Sequence, residues 1–421
     1  AGPTNDFGWA KFDADGNVQW QYRAPSSGTT DYLVHIRPLP GGGFVVLGGI
    51  AGVGSGWAAY VARLDANGNQ LWARCYDRSG TDVAYDAALL PDGGLIVVGA
   101  VHETSLGFGI HDGLLFRLDA NGNMLWNKAI GDQANEVFNT ITPMPDGNFL
   151  ISGNTSSFNG AVVDDGWLLK VTPNGNILWS KTYRPSNLVD TRFRGIVEAL
   201  GTDYVVSAND GGAMGTENAA LMRVDKDGNL IWSRQFGGVG AQRLGEVAVL
   251  PGGGYAFTGY TTGIGAGAQD VFLLKTDENG FAGLCAEIPH QTEVLNATPS
   301  ETTGAFSVLQ TPTPISINLP VQNFALLSDE PCPKACDDPP PPPCKSFQNT
   351  YGTPADERGI IGIEMPGGGY LLGGNIIQNG NQDILITRTD ASGEILWSKQ
   401  YGAPGLFDAL SDLQTKPDGS F

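Results

Sequence analysis

Residues Asp65 to Trp72 read Asp-Ala-Asn-Gly-Asn-Gln-Leu-Trp, and this stretch decides the fold because it recurs through most of the chain. The other copies end at Trp20, Trp126, Trp179, Trp232 and Trp397. From Trp20 to Trp232, successive copies are 52, 54, 53 and 53 residues apart. A fixed period of about 50 residues is typical of a repeat architecture.

The centre of this stretch predicts a tight turn. An Asn-Gly or Asp-Gly pair between two apolar runs is typical of a β-hairpin in which both central residues take positive φ. The alternative is a calcium loop, because the Asp-x-Asn-x-Asn spacing begins like one. Such a loop needs a bidentate Glu at its twelfth position, where counting from Asp13 and Asp65 gives Ala24 and Tyr76. We therefore favour the hairpin and predict no cofactor, with calcium as the alternative.

Each repeat has the same four parts, which we call strands a to d. In the second full repeat, strand a is predicted at 83–90 and strand b at 95–100, joined by the tight turn Pro-Asp-Gly-Gly. A longer loop leads to strand c at 113–118, and the Asn-Gly turn leads to strand d with its Trp. Four antiparallel strands per unit predict the blade of a β-propeller. We expect an all-β fold with at least six blades of 52–54 residues, each Trp packing between neighbouring blades.

The loop lengths predict two different faces. The a–b and c–d turns are tight and lie together, whereas the b–c and d–a connections are long and variable. We call the second set of ends the long-loop face. Binding residues are commonly carried by variable loops on a rigid scaffold. We therefore predict that Trp57, Phe108 and Phe158 bind a protein or glycan partner there, although these aromatic side chains could equally fold back onto the blade ends.

The repeats are interrupted after 284, which predicts three regions. Residues 1–284 are expected to be a first, N-terminally truncated propeller, and 285–345 a Cys- and Pro-rich linker with short strands. Residues 346–421 are expected to begin a second, C-terminally truncated propeller. The alternative is a single propeller in which 286–343 is an insertion within one c–d hairpin, closed at its neck by Cys285 and Cys344.

The chain has five cysteines, four of them in the interrupted region. Zinc sites use paired short spacings that Cys285, Cys332, Cys336 and Cys344 do not show. We predict that these four form disulfides, with the pairing left open, and that Cys75 is free.

Composition excludes some partners. With 60 Gly and 26 Pro in 421 residues, few segments can sustain a helix. A net charge of −20 argues against nucleic acid, whose binding relies on clustered Lys and Arg. No run approaches the length of a membrane-spanning helix, so we predict no membrane insertion.

Charged residues recur at three places in the repeat. One acidic position lies nine residues before the a–b turn and includes Asp31, Asp82, Glu136 and Glu357; a second, with Asp112, begins strand c. We expect these carboxylates to accept backbone N–H bonds and order their own loops. A basic residue two places before the hairpin Asp predicts ion pairs between strands. His102 and His111 share one b–c loop with Glu103 and Asp112, a composition that a metal site could use.

The repeat motif and its Pro-Asp-Gly-Gly turn resemble the β-propeller repeats of large secreted or cell-surface bacterial proteins, often exported by a type IX pathway. The resemblance covers nearly all of 1–284 and 346–421. It implies an extracellular or cell-surface location. No nucleophile elbow, zinc-protease or phosphate-loop motif is present, so we predict no catalytic residues and no enzyme activity. The expected function is a non-catalytic scaffold, adhesion or interaction module, and the alternative is a glycan-binding or carbohydrate-active propeller.

Overall fold

We examined a computed structural model of the chain. It describes the following residues: 7–23, 31–53, 56–78, 80–102, 111–158, 163–185, 189–199, 201, 203–211, 217–237, 240–251, 253–263, 265, 268–282, 287–288, 290–304, 307–310, 315–316, 321–323, 327–329, 347–402 and 407–421. All regular structure in these residues is β-strand, which confirms the predicted all-β class. Within the same ranges, no helix is long and apolar enough to cross a membrane.

The strands follow the repeats in chain order. Their bounds are β1 (Gly8–Phe12), β2 (Val18–Arg23), β3 (Tyr32–Pro38), β4 (Phe44–Val53), β5 (Gly56–Leu64), β6 (Gln70–Asp77), β7 (Thr81–Leu89), β8 (Leu95–His102), β9 (Asp112–Leu118), β10 (Met124–Gly131), β11 (Glu136–Pro143), β12 (Phe149–Thr155), β13 (Asp165–Val171), β14 (Ile177–Pro185), β15 (Thr191–Glu198), β16 (Tyr204–Asp210), β17 (Asn218–Val224), β18 (Leu230–Phe236), β19 (Gln242–Val249), β20 (Tyr255–Thr261) and β21 (Asp270–Thr276). In each of the first four full repeats, strands a to d pair antiparallel with their neighbours in sequence. The first two of these sheets are joined by a parallel bridge between Trp57 and Thr81.

The interrupted region contributes strands to these sheets. They are β22 (Glu287–Ile288), β23 (Thr292–Asn296), β24 (Ser300–Thr302), β25 (Ser307–Gln310), β26 (Ile315–Ser316), β27 (Val321–Asn323) and β28 (Leu327–Asp329). The chain then continues with β29 (Phe347–Gly352), β30 (Asp356–Glu364), β31 (Tyr370–Gln378), β32 (Asn381–Thr389) and β33 (Ile395–Tyr401). Strands β22 to β28 pair, in that order, with the outer strands β18, β14, β10, β6, β2, β33 and β29. Such pairing satisfies backbone groups that an open sheet edge would leave unpaired.

One strand lies elsewhere than the sequence analysis placed it. We expected Phe347–Gly352 to open a second propeller, but β29 pairs antiparallel with β21 and is the fourth strand of the fifth repeat's sheet. The reason is that β21 has no strand d of its own in the sequence that follows, so its edge takes the next segment with the right pattern. This pairing is the one that the insertion alternative expects.

The c–d hairpin turns differ from the prediction in the backbone conformation of the residue before the glycine. The Gly68 N–H donates to the Asp65 carbonyl at 3.1 Å, and Gly68 has φ of 81°. Among the described residues, Asn379 alone takes a positive φ without being glycine. Asn67 therefore does not, and the prediction of two positive φ values was wrong. The loop is the longer kind in which an ordinary turn is followed by one left-handed glycine beside a bulge.

The Asp at the start of each turn orders it. Asp65 Oδ1 accepts hydrogen bonds from the backbone N–H of Asn67 and Asn69, and Oδ2 accepts one from the Asn69 side chain at 2.9 Å. The side-chain hydrogen bond from Asn69, followed by those from the backbone, lowers the pKa of Asp65. Because N–H donors point at both carboxylate oxygens, the Asp-x-Asn-x-Asn spacing is explained by turn formation.

Four of the repeat Trp residues pack on the turn of the following repeat: Trp20, Trp72, Trp126 and Trp232. A Cβ added to Gly68 would lie 2.7 Å from the Trp20 ring, and one added to Gly175 would lie 2.6 Å from the Trp126 ring. The Trp72 indole N–H donates to the Ala120 carbonyl at 3.0 Å. The wedge predicted for these Trp residues is therefore confirmed, and it adds a reason for glycine at the turn, since any side chain would collide with the ring.

The described chain divides into two compact units. Unit one is Ala1–Tyr183 with Val294–Asn318, and unit two is Arg184–Glu293 with Leu319–Phe421. In unit one, Leu114 and Phe116 pack in one apolar cluster while Leu115 packs in the next, so the sheet is covered on both faces. In unit two, the rings of Phe236 and Phe257, from neighbouring sheets, lie 5.6 Å apart. Fully burying such a side chain contributes about 1.5–3 kcal/mol.

Candidate functional site: an arginine cluster on the first strands

The three aromatic residues predicted for the long-loop face lie in different settings. Trp57 is half-buried within β5 rather than in a loop. Phe158 is half-buried, and its ring packs on Trp167 with centroids 5.5 Å apart, as a residue capping its own sheet would. Phe108 falls outside the described residues. Their role in binding stays a prediction.

The recurring acidic residues do what the sequence analysis expected. Each of four carboxylates accepts a hydrogen bond from a backbone N–H group. The pairs are Asp31 with Ala51 at 2.9 Å, Asp82 with Arg78 at 2.6 Å, Glu136 with Asp132 at 2.9 Å, and Glu357 with Thr353 at 3.2 Å. Burial raises the pKa of Glu136, against hydrogen bonds that lower it. The prediction that these carboxylates order their own loops is confirmed for Asp82, Glu136 and Glu357, whereas Asp31 binds the end of strand b at Ala51.

The recurring basic residues form ion pairs in part of the series. Arg117 pairs with Asp92 at 2.6 Å, Lys170 with Asp146 at 2.7 Å, and Arg223 with Asp203 at 2.9 Å. Arg63 and Arg388 instead donate to backbone carbonyls, of Gly93 at 2.9 Å and Gly368 at 2.6 Å. Four of these residues thus fix strand c to the a–b turn of the same repeat, whereas Arg63 reaches the a–b turn of the next repeat.

The two histidines on either side of the b–c loop lie close together. The rings of His102 and His111 have centroids 5.1 Å apart. Burial, followed by the charge of His102, lowers the pKa of His111. Within the described part of the chain, no group of three or more His, Cys, Asp or Glu side chains could hold a metal ion.

Cys75 is buried and free, as predicted. Burial raises the pKa of its thiol to about 12, which keeps it protonated and unreactive at neutral pH. Cys285, Cys332, Cys336 and Cys344 all fall outside the described residues, so their pairing stays a prediction.

A fully buried carboxylate on the first strand of the second repeat closes an ion pair in unit one. Asp86 Oδ1 lies 2.6 Å from Arg37 Nε, and its Oδ2 lies 2.7 Å from Arg37 Nη2, the geometry of a bidentate pair. The backbone N–H groups of Ala87 and Ile141 also donate to this carboxylate, at 2.7 and 2.9 Å. Burial raises the pKa of Asp86, but the Arg37 charge and hydrogen bonds outweigh it and hold the pKa well below its usual value.

A different arrangement occurs on the first strands of unit two, which we call the arginine cluster: Arg192 and Arg194 on β15 and Arg243 on β19. Strands β15 and β19 are neighbours, and Arg194 is the bulged residue between Phe193 and Gly195. Bulges re-aim side chains and are common beside active sites. Arg194 is thus the unpaired residue of the bulge, two positions after Arg192 on the same strand.

The three guanidinium groups differ in how they are compensated. Arg192 Nη2 lies 3.4 Å from Asp190 Oδ2, and Arg243 Nε lies 3.5 Å from Glu217 Oε1. Arg243 also donates to the Tyr260 hydroxyl at 3.3 Å. Arg194 Nε is enclosed and has no hydrogen-bond partner among the described residues. Nor does any acidic side chain that the structure describes come within ion-pair distance of Arg194.

The electrostatics agree with this geometry. Burial, followed by the like charges of Arg243 and Arg192, lowers the pKa of Arg194 to about 10, against the opposing effect of Glu217. Arg194 therefore remains charged at neutral pH in surroundings that disfavour its charge. A half-buried guanidinium whose Nε is enclosed and unpartnered is suited to receiving an anion.

The sequence analysis missed this cluster. It counted the basic residues of strand c, which recur in every repeat, and not those of strand a, which do not. Two signals were available. The fourth repeat departs from the pattern, with Leu200 and Ala208 where others have Pro and Gly, and Arg192-Phe-Arg194 places two charges on an inner strand.

Comparisons with known proteins give little. No family model matches the chain, and no curated protein matches it. Two solved structures of a Synechocystis apocarotenoid oxygenase, the Trp-to-Ala and Glu-to-Asp mutants, are 13% identical, with TM-scores of 0.40, covering 73% of this chain and 74% of theirs. A eukaryotic initiation factor is 8% identical with a TM-score of 0.31, covering 95% of this chain and 98% of that one.

These comparisons correct one prediction. We expected a non-catalytic scaffold, adhesion or interaction module, or a glycan-binding or carbohydrate-active propeller. That prediction finds no support among the matched structures, because they include an enzyme, the oxygenase. We therefore withdraw it. At these TM-scores the likeness itself carries no inference about the activity of this chain.

Proposed function

We propose that the sheets are blades of a β-propeller and that the chain binds a small anionic ligand at the arginine cluster. The support for the fold is the antiparallel order of four strands in each repeat, with first strands packed together. In unit one, β7 packs against β3 and β11; in unit two, β19 packs against β15 and β30. In a propeller the innermost strands surround a central channel, so side chains on them can reach a ligand there.

Two observations together carry the binding proposal: the Nε of Arg194 is enclosed and unpartnered, and, unlike Arg117, Arg194 has no acidic side chain of the described residues within ion-pair distance. A charged group in this state costs folding free energy, because its lost hydration is not replaced by a counter-charge. Uncompensated charges of this kind are concentrated at functional sites, where a ligand supplies what the fold omits. An anion would both pair with the guanidinium and relieve its repulsion from Arg192 and Arg243.

The test compares Arg194→Met with Arg117→Met, which removes a guanidinium from an ion pair outside the cluster. Sodium acetate and sodium sulfate are added at equal ionic strength, with sodium chloride as reference, and melting temperature and calorimetric binding are measured. A ligand that binds only the folded state raises the melting temperature. We expect acetate, sulfate or both to stabilise the wild type and Arg117→Met beyond chloride, and neither to do so for Arg194→Met. An equal response in all three proteins contradicts the proposal.

Three features of the sequence analysis stay proposals beside this one. They are the resemblance to bacterial type IX-exported repeats, the extracellular or cell-surface location, and a partner at the long-loop face. Their support is the repeat motif together with the half-buried Trp57 near the start of β5. Alanine substitution of Trp57, with melting measured as a control, tests the last of them, because a partner that uses this face would then be released.

A further inference from the structure

The charges of the arginine cluster indicate which kind of anion it binds. This inference rests on the anion binding proposed above. Two of the three guanidinium groups already face an acid: Arg192 faces Asp190, and Arg243 faces Glu217. Glu217 is itself buried, with its side chain 6% exposed. Arg194 is the remaining group. The cluster therefore holds one uncompensated positive charge, not three.

We propose that the ligand group bound at Arg194 is a carboxylate with a single negative charge, rather than a doubly charged sulfate or phosphate. A carboxylate is planar and matches the guanidinium fork through two parallel hydrogen bonds. One negative charge balances Arg194 and leaves the pairs of Arg192 and Arg243 intact. A dianion would carry a second charge into a site that already contains the Asp190 and Glu217 carboxylates, and their repulsion is weakly screened at a buried position.

Glu217 is the residue that sets this preference. Its carboxylate is the more buried of the two acids, and its charge raises the pKa of Arg194 while Arg243 and Arg192 lower it. Replacing Glu217 with Gln keeps the shape of the side chain and removes its charge. The cluster would then hold a second uncompensated cation, and a dianion would become the better match.

The experiment titrates wild type, Glu217→Gln and Glu198→Gln with acetate and with sulfate at neutral pH and equal ionic strength. Glu198 is exposed at the other end of β15, so its variant controls for the loss of one negative charge. For the wild type and Glu198→Gln we expect acetate to bind at least about tenfold more tightly than sulfate, a difference of about 1.4 kcal/mol. For Glu217→Gln we expect that ratio to fall several-fold, because sulfate gains more than acetate does.

The possible outcomes separate the two proposals. Tighter binding of sulfate than acetate by the wild type overturns the carboxylate assignment and leaves the anion site standing. An unchanged ratio in Glu217→Gln removes the role given to Glu217, and with it the charge argument for the carboxylate. Binding of neither anion, or equal binding by Arg194→Met, overturns the anion site itself. If Glu217→Gln melts far below the wild type, Asp190→Asn is the substitute: it removes the charge of the other acid in the cluster and should also lower the preference for acetate, and an unchanged ratio would again contradict the charge argument.

Discussion

Arg37 and Arg194 are both arginines on the first strand of a sheet, one in each unit, and their surroundings differ in one respect. Arg37 meets the buried Asp86, which stands directly after the bulge of β7. Asp86 belongs to the repeat that follows Arg37. Arg194, by contrast, has no acidic side chain of the described residues within ion-pair distance.

This difference between Arg37 and Arg194 shows how the same strand position in a repeat protein can serve either a structural ion pair or a binding site. A bidentate pair with two further N–H donors leaves Asp86 with its hydrogen-bonding capacity filled, so no ligand can enter without breaking it. An arginine without an acid is a cost to the fold, and that cost is recovered when an anion binds. The following predictions contrast the closed pair at Asp86 with the open cluster at Arg194.

The largest effect is expected for Asp86→Ala. This change removes both hydrogen bonds to Arg37 and leaves the Ala87 and Ile141 N–H groups without their acceptor. Breaking a buried pair by removing one partner costs about 3–5 kcal/mol. We expect the denaturant midpoint in urea to fall accordingly, while anion binding by the folded protein is retained. A loss below 1 kcal/mol would mean that the pair adds little to stability.

The second prediction concerns acid pH and compares wild type with Asp86→Asn. The pKa of Asp86 is lowered in the folded state, so its contribution to stability is present above its unfolded pKa of about 3.9. The contribution is lost as pH falls through the lower, folded pKa. We expect a stability difference of about 2 kcal/mol at pH 7 that shrinks as the pH falls below about 4. Denaturant unfolding across this range measures it, and a gap that widens in acid would contradict the assignment.

Neither the closed pair at Asp86 nor the open cluster at Arg194 could be predicted from the sequence, whereas the turns could. The hairpin Asp, the turn glycine and the Trp wedge follow from local pattern, because each acts within one repeat or on the next. Asp86 and Arg37 are 49 residues apart, and neither belongs to a recurring position, so only the fold joins them. The cluster escaped for the same reason: Arg192, Arg194 and Arg243 converge through the packing of two first strands.

The edge strands show another limit of the sequence. Residues 285–345 were expected to be a linker with short strands, and such strands occur between 287 and 329, but their partners could not be predicted. A strand of two to five residues carries too little pattern to specify which edge it meets. Such pairings are decided by which edges remain open once the sheets have formed.

The third prediction is a gain in stability, where the first was a loss. Arg194→Met removes an uncompensated cation and replaces it with an apolar side chain of similar length. We expect this variant to be more stable than wild type by about 1–2 kcal/mol in the absence of added anion, because the desolvated charge is gone. Arg117→Met, which loses an ion pair with the more exposed Asp92, should change stability by about 1 kcal/mol or less. Destabilisation by Arg194→Met would show that Arg194 is held by contacts of its own.

The smallest effect separates charge from geometry at the closed pair. Arg37→Lys keeps the positive charge beside Asp86 but replaces the planar fork by a single ammonium group, which cannot reproduce the two parallel hydrogen bonds. Because Arg37 is 30% exposed, water can satisfy part of what the lysine leaves open. We therefore expect a loss of about 1 kcal/mol, the value of one hydrogen bond, in urea unfolding at pH 7. The acid dependence of the wild type should persist, since a cation still lowers the pKa of Asp86. If Arg37→Lys instead lowers the free energy of unfolding as much as Asp86→Ala does, the bidentate geometry rather than the charge holds the two first strands together. An anion that binds Arg194 should then also need two parallel hydrogen bonds to the guanidinium.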